Sequence, residues 1–168
     1  METFNFGENK IEKPPFLYHG SPNKELEEFE PQPNSFVGVE GNFFFASPDR
    51  NAAIPYMWKG SSWSAGPTEN GGCFAAFAVT REEFIKRDTG GALYVFEPEH
   101  FSSHLKKSNY EWVTDQKVKP IAKEIFNSVL DEMEKAGTEI YFLGSVEKWN
   151  EYKSLTAVEK RNFLKNLV

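Results

Sequence analysis

The sequence predicts an α+β domain, because strand-like segments dominate its first half and helical patterns its last third. Short apolar and aromatic runs, closed by Gly, Pro, Asn or Ser, recur through the first half and are typical of β-strands joined by turns. In the last third, apolar residues recur at helical spacing up to Gly137. The 168 residues, 16 of them Phe, suit one ring-rich core. We expect a flexible arm at 1–15, which ends in Pro-Pro, and one domain at 16–168.

Most of the predicted elements fall before residue 122. Strands are predicted at 16–19, 42–46, 73–79, 92–96, 110–113 and 118–121. Ser47 and Pro48 resemble an N-cap and a first helical residue, so a short helix is predicted at 49–58. The residues at 80–83 are typical of a capping box. Segments 25–41 and 59–72 predict surface loops, the second of them mobile.

The C-terminal third is predicted to contain helices around one strand. Residues 125, 126, 129, 130 and 133 are apolar and spaced for one helix face. Segment 138–143 predicts a strand, and 147–168 predicts one or two more helices.

Charge and composition limit the classes of partner and compartment. The net charge of −6 disfavours nucleic acid without excluding it, because Lys117, Lys119 and Lys123 could line a local basic groove. Cys73 is the single cysteine, which fits a reducing compartment. Residues 1–12 hold no apolar leader, and no run approaches the ~18 apolar residues that span a bilayer. We therefore expect a cytoplasmic protein without membrane contact.

Three segments place chemistry-bearing side chains on strands. Residues 17–21 read Leu-Tyr-His-Gly-Ser, a strand that ends in His-Gly. Residues 41–47 read Gly-Asn-Phe-Phe-Phe-Ala-Ser, with a Tyr nine residues further on at Tyr56. Residues 109–113 read Asn-Tyr-Glu-Trp-Val, a strand that carries Glu111. In this order they resemble the three signature motifs of ADP-ribosyltransferases of the kind that includes the poly(ADP-ribose) polymerases.

The resemblance covers residues 17–120 and implies both a fold and an activity. The implied fold is that family's split, twisted, antiparallel-rich β-sheet core with flanking helices. The implied activity is NAD-dependent: the bond between nicotinamide and ribose is cleaved, and ADP-ribose passes to an acceptor. Nothing in the sequence suggests a second site that would grip a growing polymer, so we expect transfer of a single unit, as in a toxin or effector of bacterial or phage type. The acceptor, macromolecule or small molecule, stays open.

The first two motifs imply most of the NAD contacts. By resemblance, His19 binds the ribose of the adenosine half, and the backbone of Gly20 binds the nicotinamide amide, which a missing side chain allows. Ser21, Ala46 and Ser47 belong to the same implied site.

The resemblance also implies an aromatic sandwich around the nicotinamide ring. Phe44 and Tyr56 occupy the family's two aromatic positions, and a cationic pyridinium favours π-faces. Strand alternation sends Phe43 and Phe45 to the face opposite Phe44. Phe44 stands where the family has Tyr, and Ala52 or Ala53 stands where it often has Ser.

Glu111 is the implied catalytic carboxylate, acting with His19. It would bond the 2′-hydroxyl of the nicotinamide ribose and stabilise the oxocarbenium-like sugar that forms as nicotinamide leaves. Glu97, Glu99 and Asp115 are the fallback carboxylates.

Other functions have weaker support in the sequence. The same cleft without turnover would be a binding module for NAD or ADP-ribose. An RNA 2′-phosphotransferase would need several basic residues to bind the RNA phosphate, and the net negative charge of the chain disfavours this function. Cys73 with a His could form a nucleophile pair. His100 and His104 could bind a metal, but no third ligand follows at a fixed spacing, so we expect no metal site.

Overall fold

Nine strands and five helices form within residues 12–36, 39–102 and 111–167, which the computed structural model describes. The strands are β1 (Leu17–Ser21), β2 (Gln32–Phe36), β3 (Val39–Ala46), β4 (Trp63–Pro67), β5 (Cys73–Phe77), β6 (Gly91–Phe96), β7 (Trp112–Thr114), β8 (Ala122–Phe126) and β9 (Glu139–Phe142). The helices are α1 (Arg50–Ala53), α2 (Arg81–Arg87), α3 (Val129–Lys135), α4 (Val146–Lys153) and α5 (Ala157–Lys165). A 3₁₀ turn (Ile54–Met57) continues α1. The α+β prediction is confirmed.

The strands form three small sheets, in the orders β1-β6-β8, β2-β3-β7 and β4-β5-β9. Neighbours run antiparallel in each sheet except for the parallel pair β5 and β9. The first two sheets meet where Tyr18 and Ser47 exchange backbone hydrogen bonds of 2.7 and 2.8 Å. This bridge brings the His-Gly end of β1 beside the end of β3.

Three clusters of buried side chains form the core. One gathers around Met57, Phe77 and Phe84, between the 3₁₀ turn, β5, α2 and α3. The second packs aromatic rings from β3, β6 and β7 together with Phe29 and with Leu17 of β1. The third joins one face of β5 to α4 and α5 through Tyr152. Helices α4 and α5 therefore cover one face of the β4-β5-β9 sheet.

Two boundaries in the second half of the chain differ from the sequence prediction. The strand predicted at 118–121 lies at 122–126, and Val118 makes only an isolated bridge with Phe29. Residues 125 and 126 therefore belong to β8 and not to a helix. Helix α3 starts later because Ser128 caps it and the carboxylate of Asp88 accepts the amide protons of residues 129 and 130.

Other differences lie in the loops and at the start of α1. The predicted loop 59–72 contains β4, which pairs with β5, and the predicted loop 25–41 contains β2. Asp49, not Ser47, is the N-cap of α1, while the Ser47 hydroxyl accepts the Asp49 amide proton. The capping box at Thr80, the strand near 138–143 and two helices after residue 145 are confirmed.

The predicted arm falls mainly on residues 1–11, outside the described residues. No helix in the described part of the chain is long and apolar enough to cross a membrane.

Candidate functional site

A cleft of about 280 Å³ lies between the end of β1, the end of β3, the 3₁₀ turn and the β4–β5 hairpin. From the residues predicted as the site, it brings together His19, Gly20, Ala46, Ser47, Tyr56 and Glu111. Ser21 and Phe44 do not line it. Side chains from all three sequence motifs thus surround one cavity.

Gly20 allows β1 to approach the helical segment that carries Tyr56. A Cβ atom at Gly20 would lie 2.2 Å from the Ala53 carbonyl oxygen and 3.2 Å from the Tyr56 Cβ. No side chain fits at those distances, so glycine is required for contact between strand and helix. This contact sets the position of Tyr56 over the strand end.

His19 is held in one protonation state and one tautomer. Its Nδ1 lies 2.9 Å from the Phe45 carbonyl oxygen. Because a carbonyl only accepts, Nδ1 carries the proton and Nε2 is left as an acceptor. Burial lowers the pKa of His19 and outweighs the opposing effect of that hydrogen bond, so the ring is neutral near pH 7. The rings of Phe29 and Phe44, 5.3 and 4.7 Å away, hold it in place.

Glu111 contributes a half-buried carboxyl group to the cleft. Partial burial raises the pKa of Glu111. The pKa of Tyr56 is raised by its own partial burial and, to a lesser degree, by the charge of Glu111. The two side chains are therefore electrostatically coupled.

The charge of the cleft is negative when Glu111 is ionised. None of the described lining residues is Lys or Arg, and burial keeps His19 neutral. A cation that enters the cleft would thus meet one carboxylate and, among the described lining residues, no competing positive charge.

Phe45, rather than Phe44, is the β3 aromatic that reaches the cleft. Phe44 is 6% exposed and packs in the aromatic core against Phe29, Phe96 and Phe101. Strand alternation holds as predicted, but the cleft opens on the other face of β3. The structure therefore pairs Tyr56 with Phe45 as the two cleft aromatics contributed by the second motif.

Ser21 has a local role. It is buried, and its hydroxyl accepts the amide proton of Asn23 at 3.1 Å, which closes the turn after β1. The two alanines that stand where the family often has Ser, Ala52 and Ala53, do line the cleft.

Sequence reasoning missed the hairpin wall of the cleft, which includes Pro67, Cys73 and Phe74. The loop-like composition of 59–72 hid β4, and no local signal places a hairpin against β1. The Cys73 thiol lies 3.6 Å from a carboxylate oxygen of Asp49. Its burial and, to a lesser degree, the negative charge of Asp49 raise the pKa of the thiol to about 11. A thiol that stays protonated does not suit the alternative of a Cys-His nucleophile pair.

The remaining candidate residues lie elsewhere. Glu97, Glu99, Asp115 and His100 are exposed and do not line the cleft, and Asn109, Tyr110 and His104 fall outside the described residues. Within the described ranges no group of three or more side chains could hold a metal ion.

The three lysines considered as a basic groove are also apart from the cleft. Lys117 pairs with Glu30 at 2.8 Å, and Lys123 donates to the Lys24 carbonyl.

Comparison with known families, with characterised proteins and with solved structures finds no match for this chain or its fold. A proposal of function for this chain therefore rests on the cleft geometry and the sequence motifs.

Proposed function

We propose that this chain is an NAD-dependent mono-ADP-ribosyltransferase whose active site is the cleft at the end of β1. One observation carries the proposal: His19, Gly20, Tyr56 and Glu111 come from distant parts of the sequence and line one cavity. The motif order suggested a common site, and a shared cavity is what that hypothesis requires.

The roles of the individual groups follow from their chemistry. Nε2 of His19 accepts a hydrogen bond from a ribose hydroxyl, and the backbone of Gly20, which lines the cleft, hydrogen-bonds the nicotinamide amide. Phe45 and Tyr56 offer π-faces to the pyridinium ring. The Glu111 carboxylate binds the 2′-hydroxyl of the nicotinamide ribose and stabilises positive charge on that sugar as the bond to nicotinamide breaks.

Electrostatics favour a cationic ring beside Glu111 in this cleft. Burial raises the pKa of Glu111, and a pyridinium beside the carboxylate would lower it again. NAD binding would thus promote ionisation of Glu111. Since the ionised form stabilises the transition state, kcat/KM should fall as the pH drops through the raised pKa that Glu111 has in the free protein, and kcat should fall only at a lower pH.

The test is release of free nicotinamide from NAD. We expect Glu111→Gln to lower the rate by ~10²–10³-fold, because the carboxylate acts on charge that develops in the transition state. Its affinity for NAD should stay within about an order of magnitude. Glu97→Gln and Glu99→Gln remove the same charge from exposed positions outside the cleft, and they should turn over like the wild type.

Turnover that is unchanged in Glu111→Gln would refute the assignment of the catalytic residue. Saturable NAD binding with no nicotinamide release from the wild type would favour the alternative, a module that binds NAD or ADP-ribose without reaction. The presence of Ala52 and Ala53, which offer no hydroxyl to the amide, is the observation that favours that alternative.

A further inference from the structure

A second groove, which we call the α5 groove, adjoins the cleft. It has a volume of about 420 Å³ and lies between the β4-β5-β9 sheet and α5. Pro67 and Phe74 border both cavities, so occupants of the two sites would be neighbours across these side chains. The site of an acceptor has to adjoin the site of the donor, and the α5 groove meets that condition.

The floor of the α5 groove is aromatic and partly exposed. Phe74 from β5 and Tyr141 from β9 project from the same face of the sheet, because Phe74 pairs with Glu139 and Tyr141 with Ala76 in the parallel register. Both rings are only half buried by α4 and α5. Half-covered rings on a sheet offer a surface on which a flat base can stack.

The α5 side of the groove is basic, whereas two carboxylates, Glu69 and Glu139, line its opposite side. Lys160, Arg161 and Lys165 line the groove from α5. Arg161 is paired with Glu69. Lys160 lies over the Tyr152 ring at 5.3 Å, and neither it nor Lys165 pairs with a carboxylate among the described residues.

Two ammonium groups that have no carboxylate partner in the described part of the chain lie above an aromatic floor, and they match a ligand that has an anionic group and a flat ring. A nucleotide has both, and its phosphate carries nearly two negative charges at neutral pH. An acidic peptide would use the lysines but not the half-exposed rings. The groove volume lies within the range of small-molecule sites.

We propose that the α5 groove binds a nucleotide, free or at the end of a nucleic acid strand, as the acceptor of the transferase; this acceptor role rests on the proposed function. The phosphate lies against Lys160 and Lys165, and the base lies on Phe74 and Tyr141. In the transfer step the bond between the ribose anomeric carbon and the nicotinamide nitrogen breaks, and nicotinamide leaves with the electron pair. A hydroxyl oxygen of the nucleotide, or a base nitrogen that carries a hydrogen, forms the new bond to that carbon and gives its proton to Glu111.

Binding is tested without turnover, in Glu111→Gln. The probes are adenosine 5′-monophosphate and a short 5′-phosphorylated single-stranded oligonucleotide, which separate the two sources of the ligand. Each is titrated by calorimetry with and without excess NAD. We expect the charge-reversing double variant Lys160→Glu/Lys165→Glu to weaken binding of at least one probe tenfold or more.

The matched control is Lys148→Glu/Lys153→Glu, which reverses the same charges at exposed positions on α4 outside the groove. It should change the affinity less than twofold. Nucleotide binding should also survive excess NAD and the cleft variant His19→Ala, because neither alters the α5 groove. These expectations hold even if NAD is not cleaved, so failure of the acceptor site and failure of the proposed function are distinguishable.

Three outcomes would overturn the proposal. The first is equal loss of affinity in the groove and control variants, which would indicate general charge attraction. The second is displacement of both probes by NAD, which would place them in the cleft. The third is that an acidic peptide binds the groove and neither probe does.

Discussion

Phe44 and Phe45 are neighbours in the sequence and lie on opposite faces of β3, in two different environments. Phe44 is buried among the rings of Phe29, Phe96 and Phe101. Phe45 lines the cleft, and its carbonyl oxygen accepts the His19 Nδ1 proton. One face of the strand therefore belongs to the core and the other to the candidate site.

This contrast shows what a motif specifies and what it leaves open. The motif selects the strand, and alternation separates Phe44 from its neighbours. Which face becomes the site depends on what covers the other one. Here Phe29, from a segment with no strand pattern, covers the Phe44 face and closes it.

The largest expected effect is on the core face. Phe44→Ala should lower the free energy of unfolding by ~3–5 kcal/mol, because it removes a buried ring and leaves a cavity. NAD should still raise the melting temperature of Phe44→Ala by about as much as it raises that of the wild type. Thermal melts with and without saturating NAD measure both quantities.

Phe45→Ala is the matched control for this comparison. It should destabilise the domain less, since Phe45 is only partly buried, and should reduce the NAD-induced shift. The reverse pattern, with the shift lost in Phe44→Ala alone at normal apo stability, would restore Phe44 to the ligand site.

His19 touches both regions, so its variant should affect both. His19→Ala should weaken NAD binding by ~1–3 kcal/mol through loss of a hydrogen bond in a partly desolvated cleft. The exposed His100, outside the cleft, supplies the control variant His100→Ala, which should bind NAD like the wild type. Wild-type affinity in His19→Ala would leave His19 with only a packing role.

The pH dependence of stability gives an independent check on His19. Its pKa is lowered in the folded state, so the stabilisation it provides is complete above the ordinary value of about 6.5 and is lost as the pH falls towards the folded-state value. Acidification should therefore narrow the stability difference between the wild type and His19→Ala. If the stability difference between the wild type and His19→Ala widens below pH 6, the folded state raises the pKa of His19 instead of lowering it.

The elements that could be predicted from sequence are those with local signals. The capping box at Thr80 and the strand that ends in His19 and Gly20 follow from side chains within a few residues of each other. The start of α3 has a local signal only in part: Ser128 is its N-cap, but the amide protons of its first two residues are accepted by Asp88, some forty residues earlier.

The candidate site likewise has one part that could be predicted from the sequence and one part that depends on tertiary contacts. The grouping of His19, Tyr56 and Glu111 followed from motif order, whereas the hairpin wall with Cys73 depends on pairing between β4 and β5. Segment 59–72 has the composition of a loop, and only tertiary contacts make part of it a strand.

The smallest expected effect separates stacking from packing at the cleft aromatics. Tyr56→Leu and Phe45→Leu should each lower NAD affinity by ~0.5–1.5 kcal/mol, because leucine keeps the apolar volume and removes the π-face. Tyr56 is 44% exposed, so its variant should melt near the wild-type temperature without ligand. Phe16→Leu changes an aromatic of matching exposure, 43%, outside the cleft and should leave the affinity unchanged. If both cleft variants bind NAD like Phe16→Leu, the rings do not stack on the ligand, and the carboxylate of Glu111 alone would have to attract the pyridinium.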